Sequence, residues 1–193
     1  ADCIIAGGTE SMSLVPTAGW KTVPAYSIAK DDPDYYLSMG LTAEAVAKEY
    51  KVSREDQDEF ALISHQKAKH AIDNGYFKGG ILPITIEQVY VDEKNKRKMK
   101  SFTVDTDDGV RADTSIEALS KLKPAFAQGG SVTAGNSSQT SDGTAFVIVM
   151  SERMINELSL KPICRLVNCV SAGVHPRIMG IGPVAAVPKI LKR

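Results

Sequence analysis

The sequence predicts an α/β fold, a layered sandwich of strands and helices interrupted by a long excursion of the chain. Two short apolar runs, at 2–6 (Asp-Cys-Ile-Ile-Ala) and 145–150, have the length of strands covered on both faces. Between them lie segments whose apolar residues recur at helical spacing, with capping and stop residues at their ends. More than 100 residues of mixed character, from about 16 to 132, separate the two runs, so the excursion interrupts a core that the chain later rejoins.

Taken in order, the run at 2–6 ends at Gly7-Gly8 and reads as a buried strand. Residues 13–36 hold scattered Pro, Gly and aromatics and read as an irregular, ordered loop. A helix is predicted from Thr42, as N-cap, through Tyr50. A second follows, opened by the capping pair Ser53 and Asp56. It carries Phe60, Ala61, Ser64, Ala68, Ala71 and Ile72 on its core face and is stopped by Asn74-Gly75. Its histidines, His65 and His70, are five apart and do not share a face, which argues for solvated helix residues rather than a metal pair.

Ile84, Ile86, Val89 and Val91 predict a strand whose alternation slips near Gln88. A polar turn at 92–100 and a return at 101–104 complete a hairpin with a basic tip, Lys94 to Lys98. Thr114 and Glu117 predict a capped short helix through Leu122. The run at 145–150 is the returning core strand, Ser151 caps a short helix over 152–158, and 165–170 reads as another buried strand. Pro183 sits at a favoured first helical position, and Pro188 predicts a kink or an early end.

Composition narrows the function. Of 193 residues, 43% are hydrophobic and 24% charged, as in ordinary globular proteins. Lys+Arg and Asp+Glu are both 23, giving zero net charge, which argues against a nucleic-acid partner that would need surplus cations. No apolar run approaches the roughly 20 residues of a membrane span. The first residues lack the basic and long apolar regions of a signal peptide. The chain opens inside an apolar run without a Met, so its true start is expected upstream. Cys3, Cys164 and Cys169 are odd in number and lack CxxC spacing. They read as reduced, buried thiols of a cytoplasmic protein rather than disulfides or zinc ligands.

Five motifs, in order and spacing across essentially the whole chain, resemble the thiolase family. They are Ala6-Gly7-Gly8-Thr9-Glu10-Ser11-Met12-Ser13, Ser38-Met39-Gly40-Leu41-Thr42-Ala43-Glu44, Ser53–Asp58 with Ser64–Ala68, Lys121–Phe126 with Thr133–Gly143, and Ile178-Met179-Gly180-Ile181-Gly182-Pro183. Thr9 departs from the Met or Ala common in the family. The resemblance is greatest to the fatty-acid β-oxidation branch, the acetyl-CoA C-acyltransferases. It implies a thiolase-like layered αβαβα sandwich with an inserted loop domain, incomplete in this chain. The implied divisions are 1–15 as the end of the N-terminal half, 16–132 as the inserted CoA-binding loop domain, 133–160 as the return to the N-terminal half, and 161–193 as the start of the C-terminal half.

The resemblance also implies roles. The family's chemistry needs a nucleophilic Cys in C-x-S-G and an activating His in G-H-P-x-G. None of the three cysteines has the first context, and Val174-His175-Pro176-Arg177 lacks the glycines of the second. The Asn-Glu-Ala-Phe segment of the family is also missing. No catalytic residue is therefore expected in this chain, which alone should be inactive. Ala134 and Ser138 should contact the pantetheine arm of CoA, where small side chains permit close backbone approach. Phe126 should wall the tunnel, and Arg111 should lie at the adenosine 3′-phosphate. Met39 and Met179 should line the acyl end. The plainer readings are a Gly-Asn turn for 133–138, core packing for Phe126 and both methionines, and an exposed surface Arg. Ala118 stands where some relatives have a Ser near the adenosine. Ser38 stands where some biosynthetic relatives have a His, which leans toward a degradative enzyme.

The implied reaction is cleavage of 3-ketoacyl-CoA by CoA into acyl-CoA and acetyl-CoA. A biosynthetic acetoacetyl-CoA thiolase and a truncated, non-catalytic CoA-binding polypeptide are the alternatives. No metal or cofactor is implied, because CoA is a substrate. The expected partners are acyl-CoA and CoA, and further copies in a homodimer or homotetramer. A truncated sheet should leave open edges and uncovered apolar faces.

Overall fold

The two apolar runs pair with each other. β1 (Cys3–Ser11) and β4 (Asp142–Met150) form a two-stranded antiparallel ladder in continuous register, from Cys3 opposite Met150 to Ser11 opposite Asp142. The structure is a computed structural model describing residues 1–17 and 19–192. Between the strands lie α1 (Tyr26–Asp31), a 3-10 turn (Pro33–Tyr36), α2 (Met39–Tyr50), α3 (Arg54–Asp73), β2 (Ile84–Val91), β3 (Arg97–Val104) and α4 (Ile116–Ser120). After β4 come α5 (Glu152–Glu157), a 3-10 segment (Pro176–Ile181) and α6 (Gly182–Leu191). The chain divides into two compact units: Ala1–Ser53 together with the chain from Pro124 onward, and Arg54–Lys123. We call them the strand unit and the hairpin unit.

In the strand unit, both strands extend beyond their apolar runs because small and polar residues at 7–11 and 142–144 continue the ladder. Gly7 lies opposite Phe146, whose ring occupies the space a Cβ on Gly7 would need. The ladder is tied at both ends. The Ser13 amide donates to Asp142 Oδ1 at 2.9 Å, and the Ser151 amide donates to the Asp2 carbonyl at 2.8 Å. The Ser13 N–H holds the Asp142 carboxyl below its usual pKa, with smaller contributions from Ser13 and Ser11 hydroxyls and the Met12 amide.

The strands stand where the sequence predicts, but they are not buried. Ile5 is 71% exposed and Ile148 opposite it 66%, while Val147 on the other face is 61% exposed. Open apolar faces are thus present as expected for an incomplete sheet, because no described element covers either side. The same openness corrects the reading of the cysteines: all three are exposed. The predicted strand at 165–170 is absent. The segment is irregular, with Leu166 and Val167 more than 80% exposed, and no described strand lies beside it to exchange hydrogen bonds.

Helix boundaries shift for local reasons. α2 begins at Met39, three residues before the prediction. Ser38 is its N-cap, accepting from the Leu41 amide, and Thr42 lies inside the helix with its hydroxyl donating to the Met39 carbonyl at 2.8 Å. The predicted loop at 13–36 contains α1 and the 3-10 turn. Ser151 caps α5 as predicted, accepting from the Met154 amide. His175 caps the 3-10 segment, its Nδ1 accepting from the Arg177 amide. α6 opens with Pro183 in its first turn and continues through Pro188 to Leu191. Pro188 removes one helical amide donor but does not end the helix.

In the hairpin unit, α3 covers the predicted span and stops where Gly75 adopts φ +70°. Its predicted core face is partly covered: Ala61, Ala68, Ala71 and Ile72 are half-buried, while Ser64 is exposed and Phe60 is 76% exposed. Arg54 fixes this helix to α4. Its Nε donates to the buried Asp58 at 2.7 Å, and its terminal nitrogen donates to the carbonyls of Leu119 (2.6 Å) and Leu122 (3.1 Å). α4 is capped by Ser115, which accepts from the Ala118 amide, rather than by Thr114.

The hairpin has no slip at Gln88. Every residue from Ile84 opposite Val104 to Val91 opposite Arg97 is in register. Arg97 and Lys98 belong to β3, so the connection is shorter than predicted. It is organised by Asp92, whose Oδ1 accepts from the Lys94 and Lys96 amides at 2.9 Å each, while Asn95 takes φ +55°. The Lys96 amide, then Lys98 and the Lys94 amide, hold the Asp92 carboxyl below its usual pKa.

Two outcomes follow. A carboxyl with a lowered folded pKa stabilises the turn above its unfolded value and loses that contribution as the pH falls through the folded value. The protection of the Lys94 and Lys96 amides that Asp92→Ala abolishes should be full above about pH 4 and should vanish on further acidification, as followed by NMR amide exchange. The 193-residue chain expressed alone should bind a hydrophobic dye strongly and self-associate, as measured by fluorescence and light scattering. A monodisperse monomer without dye binding would contradict the exposed strand faces.

Candidate functional site

α2 organises most of the candidate residues of the strand unit. Met39 is its first residue and is exposed. One position on, Gly40 is buried beneath the ring of Phe126, and a Cβ at this position would collide with that ring. Only glycine lets Phe126 lie flat on the start of the helix. Phe126 remains 44% exposed, so one part of the ring packs on backbone and the rest faces outward.

One turn further along α2, the half-buried Glu44 reaches the chain before β4. Its carboxylate accepts from the amides of Ser131 (3.0 Å to each oxygen) and Val132 (2.9 Å), and from the Ser131 hydroxyl at 3.3 Å. The turn beyond is stitched to itself. Asn136 Oδ1 accepts from the Thr133 amide at 2.7 Å, and Asn136 Nδ2 donates to the Ser131 carbonyl at 3.1 Å. Thr133 Oγ1 accepts from the Gly135 amide at 3.2 Å, and the Ser137 hydroxyl donates to the Thr133 carbonyl at 2.6 Å. Thr133 is completely buried and bridges to Pro124, close to Phe126 in sequence.

Ala134 and Ser138 stand on the exposed side of this turn, and the Ser138 hydroxyl donates to the neighbouring Gln139 carbonyl at 3.2 Å. The turn is thus rigid behind and open in front. That combination suits close approach by a chain carrying amide groups, because the presenting residues lose little freedom on contact.

Met179 lies on the 3-10 segment at 176–181, which packs against α2. It is exposed, as is Met39. A shallow cavity of about 210 Å³ nearby is lined by Leu37, Leu41, Glu44, Ala45, Lys48 and Arg177, and neither methionine is among its lining residues. Arg177 pairs with Asp34 at 3.5 Å. Met39, Phe126, Ala134, Ser138 and Met179 therefore belong to elements that meet α2.

Arg111 belongs to the hairpin unit. Its backbone amide donates to His65 Nδ1 at 3.2 Å, and its guanidinium is exposed, with no ion pair among the described residues. His70 meets Tyr76 edge-on at 5.9 Å. Each histidine thus has a local role within its own unit. Residues to which the sequence assigned no contact are Glu44 and Gly130, whereas Asn136 is the Asn of the Gly-Asn turn offered for 133–138 and its side chain closes that turn. Glu44 is spelled out in the second motif, but no spacing rule pairs it with amides 87 and 88 residues away.

With Asn136→Ala, the buried Thr133 amide loses its acceptor and the Ser131 carbonyl loses a donor. The expected cost is about 1–3 kcal/mol, read from the denaturant midpoint of the full-length protein.

The sequence model of the thiolase N-terminal domain matches residues 1–153. A 3-ketoacyl-CoA thiolase of Bacillus subtilis (strain 168) is 49% identical over 191 residues, covering 99% of this chain and 49% of that protein. An acetyl-CoA acetyltransferase of Pseudomonas aeruginosa is 44% identical over 207 residues, covering all of this chain and 50% of that protein. Among solved structures, the dimeric peroxisomal thiolase of Saccharomyces cerevisiae superposes with TM-score 0.83 at 36% identity, over 99% of this chain and 47% of that one. The human mitochondrial 3-ketoacyl-CoA thiolase superposes with TM-score 0.80 at 36% identity, over 99% and 49%. The chain spans about half the length of the relatives it matches.

Proposed function

The chain belongs to the thiolase family, with a thiolase fold over its length, and on that premise we propose that it forms part of an acyltransferase cleaving 3-ketoacyl-CoA with CoA to acyl-CoA and acetyl-CoA. In this reading a cysteine thiolate adds to the 3-keto carbonyl, the C2–C3 bond breaks, the released acetyl-CoA enolate takes a proton at C2 from a second cysteine and departs, and the thiol of a second CoA then displaces the first cysteine from the acyl thioester. This segment supplies binding. The nucleophilic Cys and its activating His come from outside it, since no Cys or His here stands in the required setting. CoA is a substrate, and the reading calls on no metal and no cofactor.

The observation that carries the proposal is the likeness to a 3-ketoacyl-CoA thiolase along almost the whole chain, joined to the convergence of Phe126 and the 131–138 turn on α2. Ala134 and Ser138 take the pantetheine arm, and Phe126 walls it. Arg111 takes the 3′-phosphate, a role for which an exposed guanidinium free of an ion pair is apt. Met39 and Met179 face the acyl end, where flexible thioethers accommodate different chains. We assign 1–15 and 133–160 to the first half of the fold, 16–132 to the inserted loop domain and 161–193 to the second half. The β-oxidation direction, a cytoplasmic location and a homodimer or homotetramer complete the reading. A solved relative described as dimeric supports the last.

The test uses the full-length enzyme. Arg111→Ala should raise KM for CoA about tenfold with kcat little changed, and should leave KM for dephospho-CoA, which lacks the 3′-phosphate, nearly unaltered. Equal losses with both thiols would remove Arg111 from the phosphate. Turnover by the 193-residue chain alone would overturn the assignment of catalysis to residues outside it.

A further inference from the structure

We propose that Glu44 is a positioning residue for CoA, holding the turn that presents Ala134 and Ser138 while itself touching no substrate; this rests on the CoA reading above. The carboxylate sits on a rigid helix and receives two consecutive backbone amides, Ser131 and Val132, together with the Ser131 hydroxyl. Hydrogen bonds to an ionised acceptor are stronger than neutral ones, and two successive amides fix both the position and the direction of the strand leaving them. The next residue, Thr133, is completely buried, so the orientation set at 131–132 passes directly into the turn. From there, Asn136 and Ser137 close the turn on the backbone of Ser131 and Thr133, which leaves Ala134 and Ser138 outward.

Gly130 supplies a second, independent sign of a built contact. It lies so close to the Glu44 carboxylate that a Cβ at 130 would occupy the place of its oxygens. Gly130 is not among the glycines with positive φ, so its lack of a side chain serves the approach of Glu44 rather than the backbone conformation. On the other side, Phe126 is pressed onto Gly40 of the same helix. α2 therefore holds the 124–138 segment at two points one turn apart.

Three variants of the full-length enzyme separate positioning from plain stability. Glu44→Ala removes every acceptor. Glu44→Gln keeps one carbonyl oxygen. Gly130→Ala leaves Glu44 in the sequence but pushes its carboxylate off the amides. The expected result is a KM for CoA raised about tenfold in Glu44→Ala and Gly130→Ala and about threefold in Glu44→Gln, with kcat within a factor of two. Hydrogen–deuterium exchange of the peptide covering 126–138 should accelerate in the same order. Combining Glu44→Ala with Ser138→Ala should raise KM no further than the larger single effect, because both act through one contact. If Glu44→Ala does not fold, Glu44→Gln and Gly130→Ala decide.

An unchanged KM in the folded Glu44 and Gly130 variants, with Ser138→Ala still raising it, would overturn the role of Glu44 and leave the CoA reading standing. An unchanged KM in Ser138→Ala and Arg111→Ala would remove the CoA reading, and the role of Glu44 with it. A fall in kcat at constant KM in the Glu44 variants would also overturn the proposal, since it would place Glu44 at the chemistry rather than behind the binding turn.

Discussion

The nine-residue ladder between β1 and β4 is the constraint on which the strand unit depends. It joins residues more than 130 positions apart, so the entropy of closing so long a loop must be met by the ladder and by what packs on it. Backbone bonds alone are weak compensation, because the unfolded chain makes equivalent bonds to water. The apolar side chains on both faces carry the stabilisation a thiolase fold would draw from this sheet, and in this chain those faces are open. A relative twice as long has further chain with which to cover them. The strands are thus specified by residues whose partners the described chain does not contain.

The ends of the ladder are handled differently from its faces. Polar groups close both ends: Asp142 to the Ser13 amide, and Asp2 to the Ser151 amide and to Arg153. These contacts place β4 immediately before a capped helix and β1 immediately before the excursion. They tie down the chain where it leaves β1 and where it passes from β4 into α5.

α2 then joins two stretches of sequence that no local rule connects. Its start is set by Ser38, its buried Gly40 receives Phe126, and its Glu44 receives the amides at 131–132. The helix is therefore more than a scaffold for its own side chains. It fixes the conformation of a turn that lies just before β4, and the small residues of that turn face outward as a consequence. In the hairpin unit Arg54 plays a comparable part, joining two helix segments through carbonyls at the end of α4.

Local chemistry was legible in the sequence wherever a signal acts within a few residues. Strand positions at 3–6 and 145–150, the extent of α3, the hairpin, and the caps and stops at Ser151 and Gly75 all come from period, capping and turn residues. The caps expected at Thr42 and Thr114 lie elsewhere in the structure. Ser38 rather than Thr42 caps α2, because Thr42 is buried and turns its hydroxyl to the helix backbone; Ser115 rather than Thr114 caps α4. The motifs by themselves pointed to the family. Only the tertiary structure decided that Glu44 clasps residues 131–132, that Phe126 lies on Gly40, and that the strand expected at 165–170 has no neighbour. Such pairings depend on which distant segments the folded backbone brings within hydrogen-bond or van der Waals reach, and periodicity, capping and motif spacing carry no record of that distance.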